Sequence, residues 1–148
     1  MTMFSTPQQV LDRIKARDIA TVRSMKATKH FTWGELLVHR TPADLQSIQL
    51  KHLEKLSLLA QRLERVRTQL GNRGITITSG WRDAVTNRKV GGARLSRHLT
   101  GQAVDIVVSG MTPKQVQAKL DPTWEGGLGY GATFTHLDIR GFRARFRY

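Results

Sequence analysis

Three residues of this chain have side chains that could hold a metal together: His98, Asp105 and His136. Two imidazoles and one carboxylate suit a borderline cation such as zinc. They leave a fourth tetrahedral position for water, which a catalytic zinc requires. The chain has no cysteine. Disulfide frameworks, zinc–thiolate sites and cysteine nucleophiles are therefore excluded, and a metal must rest on histidine and carboxylate ligands. By themselves, two histidines and one aspartate this far apart are a weak signal, since most histidines are structural or simply exposed.

The elements that must position these residues follow from the local patterns. Ile75, Thr76, Ile77 and Thr78 are β-branched and predict a strand. Ser79-Gly80-Trp81-Arg82 follows as a turn, Asp83 to Val90 as a short helix and Gly91-Gly92 as a loop. Ala103 to Val108 is a second apolar strand. It contains Asp105, and His98 lies in the loop before it. Thr112-Pro113 begins another short helix that ends near Leu120, and Gly126, Gly127 and Gly129 mark a flexible turn. Phe134 to Ile139, which carries His136, and Phe142 to Tyr148 alternate like two strands of a hairpin around Gly141.

Helices come first. In residues 5–29, Thr6-Pro7 resembles a helix start, and Val10, Leu11, Ile14, Ile19 and Val22 recur at helical spacing. Arg13, Lys15, Arg17, Arg23 and Lys26 occupy the opposite face. This segment reads either as a surface helix packed on the domain or as a basic amphipathic arm for a membrane or wall. Residues 30–40 are short and aromatic-rich. Thr41-Pro42 then opens a longer helix, with Leu45, Ile48, Leu53, Leu56, Leu59, Ala60, Leu63, Val66 and Leu70 on a 3.6-residue period, ended by Gly71 and Gly74. The expected fold class is α+β, with N-terminal helices packed on a small antiparallel β-sheet that carries the site. The chain of 148 residues fits one compact domain.

Residues 96–105 read Ser96-Arg97-His98-Leu99-Thr100-Gly101-Gln102-Ala103-Val104-Asp105. This resembles the signature S-x-H-x-x-G-x-A-x-D of the zinc D-alanyl-D-alanine carboxypeptidase family, which includes the L-alanyl-D-glutamate endopeptidases of bacteriophage lysins and has a Hedgehog-like fold. Ser79-Gly80-Trp81-Arg82 is similar to the family's S-G-[aromatic]-R turn. Asn87, Val90, Gly91, Gly92 and Ala93 are similar to the loop leading to its first ligand. Phe134-Thr135-His136-Leu137-Asp138 resembles its closing F-x-H-x-D strand, and Phe31-Thr32 with Glu35-Leu36 resembles an entry motif. The resemblance spans residues 30–140. It implies zinc on His98, Asp105 and His136, with Arg82 facing the substrate to hold a carboxylate or a developing oxyanion. Ser96 and Trp81 would stand beside the substrate or behind the ligands. It also divides the chain into an N-terminal basic helical segment, residues 1–29, and a zinc peptidase domain, residues 30–148.

One departure from the family pattern concerns the general base. The position three before the last ligand, where many members carry an acid, is Thr133. The position two before it, a histidine in other members, is Phe134. Asp138 shares a strand face with His136 and could be the base, an orienting carboxylate, or an ion-pair partner of Arg140. Glu125 is a second candidate base.

Lys plus Arg number 24 against 11 Asp plus Glu, a net charge of +13. Such a surface attracts polyanions, more weakly as salt rises. The expected substrate is the peptidoglycan stem peptide, cut by a D-Ala-D-Ala carboxypeptidase or an L-Ala-D-Glu endopeptidase. An anionic wall or membrane surface would be a further partner, with no obligate nucleic acid and a monomeric state. The competing reading is a non-catalytic basic domain that binds wall or nucleic acid and retains a metal site. No apolar run approaches the roughly 20 residues of a membrane-spanning helix. The first residues, MTMFSTPQQ, lack the pattern of a signal peptide. The expectation is therefore synthesis in the cytoplasm and action on the wall, as a phage or prophage endolysin released through a holin or carried by a virion.

Overall fold

A computed structural model describes residues 4–38 and 41–148. In chain order the elements are α1 (Pro7–Lys15), α2 (Ile19–Ser24), α3 (Trp33–Leu36), α4 (Leu50–Gln69), β1 (Ile75–Ser79), α5 (Ala84–Lys89), a 3-10 turn (Arg97–Thr100), β2 (Ala103–Val108), α6 (Pro113–Leu120), β3 (Gly127–Tyr130), β4 (Thr135–Asp138) and β5 (Ala144–Arg147). The class is α+β, as the patterns indicated.

The first basic segment is two helices. Thr6 and Gln9 cap α1 reciprocally, with the Gln9 N–H donating to Thr6 Oγ1 at 3.2 Å and the Thr6 N–H to Gln9 Oε1 at 2.8 Å. The helix stops at Arg17, which takes a left-handed φ of 61°. Asp18 then caps α2 by accepting from the Thr21 N–H at 3.3 Å. Val10, Leu11, Ile14, Ile19 and Val22 are buried in the same core as α4 and the sheet. Arg13, Lys15, Arg17, Arg23 and Lys26 remain exposed.

The aromatic-rich stretch expected over 30–40 contains α3, with Trp33 and Leu36 fully buried; its last two residues lie outside the described ones. The long helix begins at Leu50 rather than at Thr41-Pro42. Residues 42–47 are turns. Thr41 and Asp44 bond to each other, and the turn delivers Leu45 and Ile48 to the core from a separate direction. Gln49 is extended, with φ −119° and ψ 163°, and its N–H donates to His52 Nδ1 at 3.0 Å, so the helix nucleates afresh there. Leu53, Leu56, Leu59, Ala60 and Leu63 are completely buried along its inner face.

The five strands lie in the order β1-β2-β4-β3-β5. The first four pair antiparallel, and β3 pairs with β5 in parallel, so the sheet is mixed. Two local expectations do not hold. The segments 134–139 and 142–148 are both strands, but they do not form a hairpin, because β3 lies between them. The glycines at 126–129 are not a flexible turn: Gly127 and Gly129 belong to β3. Their lack of a side chain is a steric requirement. A Cβ on Gly129 would lie 2.7 Å from both the Phe146 and Tyr148 rings and 2.9 Å from His136, and one on Gly127 would collide with the Asp138 carboxylate. β5 is held on the far side of β3 by Arg145, which donates to the backbone carbonyls of Asp121, Trp124 and Gly126 at 2.7, 2.6 and 2.9 Å.

Strand alternation sorts the two sheet faces. Val104, Ile106, Leu128 and Leu137 enter the hydrophobic core. Asp105, His136 and Asp138 sit on the other set of positions, and the β2–β4 register pairs Asp105 with His136 and Ala103 with Asp138.

One polar tie crosses the helical layer. The Glu64 carboxylate accepts from Thr28 Oγ1 at 2.7 Å, from the His30 N–H at 2.8 Å and from His30 Nδ1 at 2.7 Å. Burial alone would push this carboxyl up, but the bonds from His30 and Thr28 outweigh it and hold Glu64 below its ordinary range. A depressed carboxylate stabilises the fold above its unfolded pKa, and that contribution fades as pH falls through the lower folded value. Glu64→Gln is therefore expected to cost about 1–3 kcal/mol near neutral pH. In thermal unfolding curves the gap between variant and parent should narrow as pH drops below the ordinary glutamate value of 4.5. A gap independent of pH would show that the charge contributes nothing.

Candidate metal centre

The site is assembled on the turn that carries His98. Three bonds from the 80–82 segment fix that turn. His98 Nδ1 donates to the Gly80 carbonyl at 2.8 Å, Trp81 Nε1 to the Leu99 carbonyl at 3.1 Å, and the Arg82 N–H to the His98 carbonyl at 3.1 Å. Ser96 Oγ accepts the His98 N–H at 3.2 Å and so starts the turn. Gly101 ends it with a left-handed φ of +79°, and a Cβ there would strike the His52 carbonyl. Only glycine satisfies both demands.

Asp105 projects from β2 between the two histidines. Its Oδ1 lies 3.2 Å from His98 Nε2 and 3.1 Å from His136 Nδ1. All three residues are buried, and one ligand atom from each lies within 4.8 Å of the others. Bonds of about 2.0–2.2 Å at tetrahedral angles place neighbouring ligand atoms about 3.3–3.6 Å apart, close to these separations. The outer nitrogens have acceptors of their own, which orient the rings. His98 Nδ1 donates to a backbone carbonyl, and His136 Nε2 donates to Asp138 Oδ2 at 2.7 Å. In the neutral rings the inner nitrogens are then acceptors, and both face a carboxylate oxygen, which is also an acceptor. Three lone pairs converging on one point suit a divalent cation.

Burial alone would raise the Asp105 carboxyl, but with a proton on their inner nitrogens His136 and His98 donate to it, outweigh its burial and hold it at about 2; a cation would take the place of those protons. Arg82 NH2 stands 3.6 Å from Asp105 Oδ2. The same guanidinium donates to Ser79 Oγ at 3.1 Å and to Asn87 Oδ1 at 3.2 Å. Its acidic partner is thus Asp105. Asp83 instead caps α5, accepting from the Thr86 N–H at 2.7 Å.

A cavity of about 870 Å³ opens over this group. Arg82, Ser96, His98, Asp105 and His136 all line it, together with Arg97 and Arg140. Trp81 does not. It is 3% exposed, tilted against His52 with ring centroids 5.5 Å apart, and supports the 97–100 turn from behind.

Neither candidate base reaches the cavity. Asp138 is fully buried. It accepts from His136, from the Gly127 N–H at 2.9 Å, and from Arg140 Nε and NH2 at 2.9 and 2.7 Å. Burial would raise its carboxyl, but these partners hold it well below the usual range. Glu125 lies in a different hollow, beside Arg62 and Arg65 of α4.

Phe134, Phe146 and Tyr148 were not expected as lining and form an aromatic wall. Phe134 and Tyr148 meet edge to face at 4.9 Å, and Phe146 stands 5.3 Å from the His136 ring. The alternation over 142–148 held this signal, since Phe146 and Tyr148 share a strand face while Arg145 and Arg147 take the other. Partial burial of its phenol, and then the Asp105 charge, push Tyr148 up to about 12, so it is a hydroxyl donor at neutral pH.

Residues 29–138 match the model of a family described as Peptidase M15. The chain is also 33% identical over 89 residues to a protein of Haemophilus influenzae named probable peptidoglycan L,D-endopeptidase MepK. That alignment covers 54% of this chain and 48% of the relative, so the chain spans about half the length of the curated relative it matches.

A carboxylate bonded to the outer nitrogen of a ligand histidine orients the ring and raises its basicity. Asp138→Asn should therefore weaken divalent-metal binding about 10- to 100-fold, measured by competition with a chromogenic chelator. Unaltered affinity would show that Asp138 serves Arg140 and the strand rather than His136.

Proposed function

The chain belongs to the peptidase M15 family, and we propose that it is a zinc-dependent peptidase that hydrolyses a D-amino-acid-containing peptide bond of bacterial peptidoglycan. The observation that carries this reading is the buried His98–Asp105–His136 set. Its two imidazoles are locked by outer partners so that their free lone pairs meet at the floor of an open cavity. A purely adhesive domain has no need of that arrangement. His98 Nε2, an Asp105 oxygen and His136 Nδ1 would hold the zinc. Bound there, zinc supplies a Lewis acid and lowers the pKa of water toward about 7.

The remaining roles fall to side chains of this chain. Arg82, held by Ser79 and Asn87, points a fixed guanidinium at the cavity, where it can steady a carbonyl oxygen as it gains charge. Ser96 and Trp81 keep His98 in place from below. Asp138 acts through His136 as its orienting carboxylate. Tyr148 offers a protonated phenol that can donate to the departing amine. The aromatic wall gives the peptide a surface to lie on and keeps bulk water from that side.

Between a carboxypeptidase and an endopeptidase, the name of the Haemophilus relative favours the endopeptidase. Among the described residues no helix is long and apolar enough to cross a membrane. We assign the basic surface, +13 over the chain, to retention on anionic wall polymers, and the setting to wall lysis by a phage or prophage enzyme.

Purified peptidoglycan digested with the zinc-loaded protein should yield new peptide termini by mass spectrometry. Chelation should abolish them and added zinc restore them. His98→Ala should lose metal and hydrolysis together while keeping a cooperative unfolding transition, because the core of α4 and the sheet lies outside the site. Stoichiometric metal binding with no bond cut would favour the binding-domain reading.

A further inference from the structure

The charges around the cavity are unevenly matched. Among the described residues three guanidinium groups line it, and two are committed. Arg82 is bonded to Ser79 and Asn87 and stands against Asp105. Arg140 grips both oxygens of Asp138. Arg97 differs from both. Its backbone carbonyl closes the turn by accepting from Thr100 Oγ1 and from the Gln102 N–H, each at 3.0 Å. Its guanidinium makes no hydrogen bond or ion pair with any described residue, although the side chain is partly buried and lines the cavity.

Among the described residues no acidic side chain in the cavity is left to receive it. Asp105 carries the only side-chain carboxylate among the described lining residues, and it is shared by His98, His136 and Arg82. The neighbouring rim is apolar, with Val90 59% and Leu95 86% exposed. A cation beside apolar rim residues is a strong, directional site for an anion and a poor one for an ammonium group. Because Arg97 immediately precedes His98 in one rigid turn, an anion held by it is fixed relative to the reacting bond.

We propose that Arg97 determines specificity by binding a free carboxylate of the peptide substrate close to the bond that is cut. This rests on the peptidase reading above and narrows it. The preferred substrate is an acidic peptide, and amidation of the recognised carboxylate is a chemical means of resistance. The carboxylate has two possible sources, an acidic residue within the peptide or the free carboxyl of its C-terminus.

Two pairs of synthetic stem peptides separate them. One pair differs by carboxylate against carboxamide on the internal acidic residue, the other by a free against an amidated C-terminus. The zinc-loaded wild type should prefer the carboxylate member of one pair by about 10- to 100-fold in kcat/KM, the range lost with a charged hydrogen bond. Most of that preference should lie in KM. Arg97→Gln should bring the ratio close to one. Arg97→Lys should keep part of it, which separates loss of the cation from disturbance of the His98 turn. Arg94→Gln removes an exposed cation outside the cavity and should leave the ratio intact. The pair whose ratio collapses identifies the carboxylate that is read. Cleavage with no preference in either pair, or a preference that survives in Arg97→Gln, overturns this inference and leaves the peptidase reading standing. No cleavage of any member overturns the peptidase reading itself.

Discussion

The structure of the site depends on one constraint: to hold a cation, two imidazoles must turn unprotonated inner nitrogens toward the same carboxylate oxygen. That is unfavourable unless each ring is fixed from outside. His98 is fixed by a backbone carbonyl, that of Gly80, and His136 by a buried carboxylate, that of Asp138. The two anchors differ in kind. A carbonyl orients without adding charge. Asp138 brings a negative charge, which Arg140 compensates from the far side. The result is an unbroken line of contacts from Arg140 through Asp138 and His136 to Asp105.

Much of the surrounding backbone follows from that constraint. Gly80 must bring its carbonyl to His98 while passing the Leu36 carbonyl, where no Cβ fits. Gly101 must turn left-handed against the His52 carbonyl. Gly127 must leave its N–H to Asp138, and Gly129 must let His136, Phe146 and Tyr148 crowd one face of β3. Each glycine occupies a place where backbone approaches that line of contacts or its supports. The parallel edge strand β5 has the same logic. A hairpin partner beside β4 would have occupied the place of β3, whose glycines admit the packed rings. Carried across to β3, the strand instead lends Phe146 and Tyr148 to the wall of the cavity.

The meeting of His98, Asp105 and His136 was legible in the sequence because their spacing carries local geometry. A serine that starts the turn, a histidine within it, a glycine that ends it and an aspartate on the next strand lie within ten consecutive residues, 96–105. The strands β1, β2 and β4 and the helix α6 were legible from β-branched runs and a Thr-Pro cap. What escaped was non-local. The partner of β5 is decided by Arg145 reaching carbonyls about twenty residues back, which no periodicity reveals. The glycines of 126–129 carry the same letters as a loop, although sterics place two of them in a strand. The start of α4 was masked because Thr41 and Asp44 form a cap-like pair that closes a turn only. Asp138 was rightly placed on the face of His136, but sequence could not show that Arg140 and Gly127 occupy its remaining lone pairs.

Metal affinity and fold stability are only partly coupled in such a design. Binding a cation to the native site alone stabilises the fold by mass action, and the three facing acceptors make the metal-free site the less favourable state. Yet the largest buried surfaces lie elsewhere. α4 buries its leucines against α1 and the core face of the sheet, on the side of Val104, Ile106 and Leu137, whereas the ligands occupy the opposite strand positions. Loss of a bound metal would therefore raise electrostatic strain at one face without opening the hydrophobic core. The fold behaves as a scaffold that tolerates a costly cluster, and the cost is confined to residues whose outer partners, the Gly80 carbonyl and Asp138, belong to the fold itself.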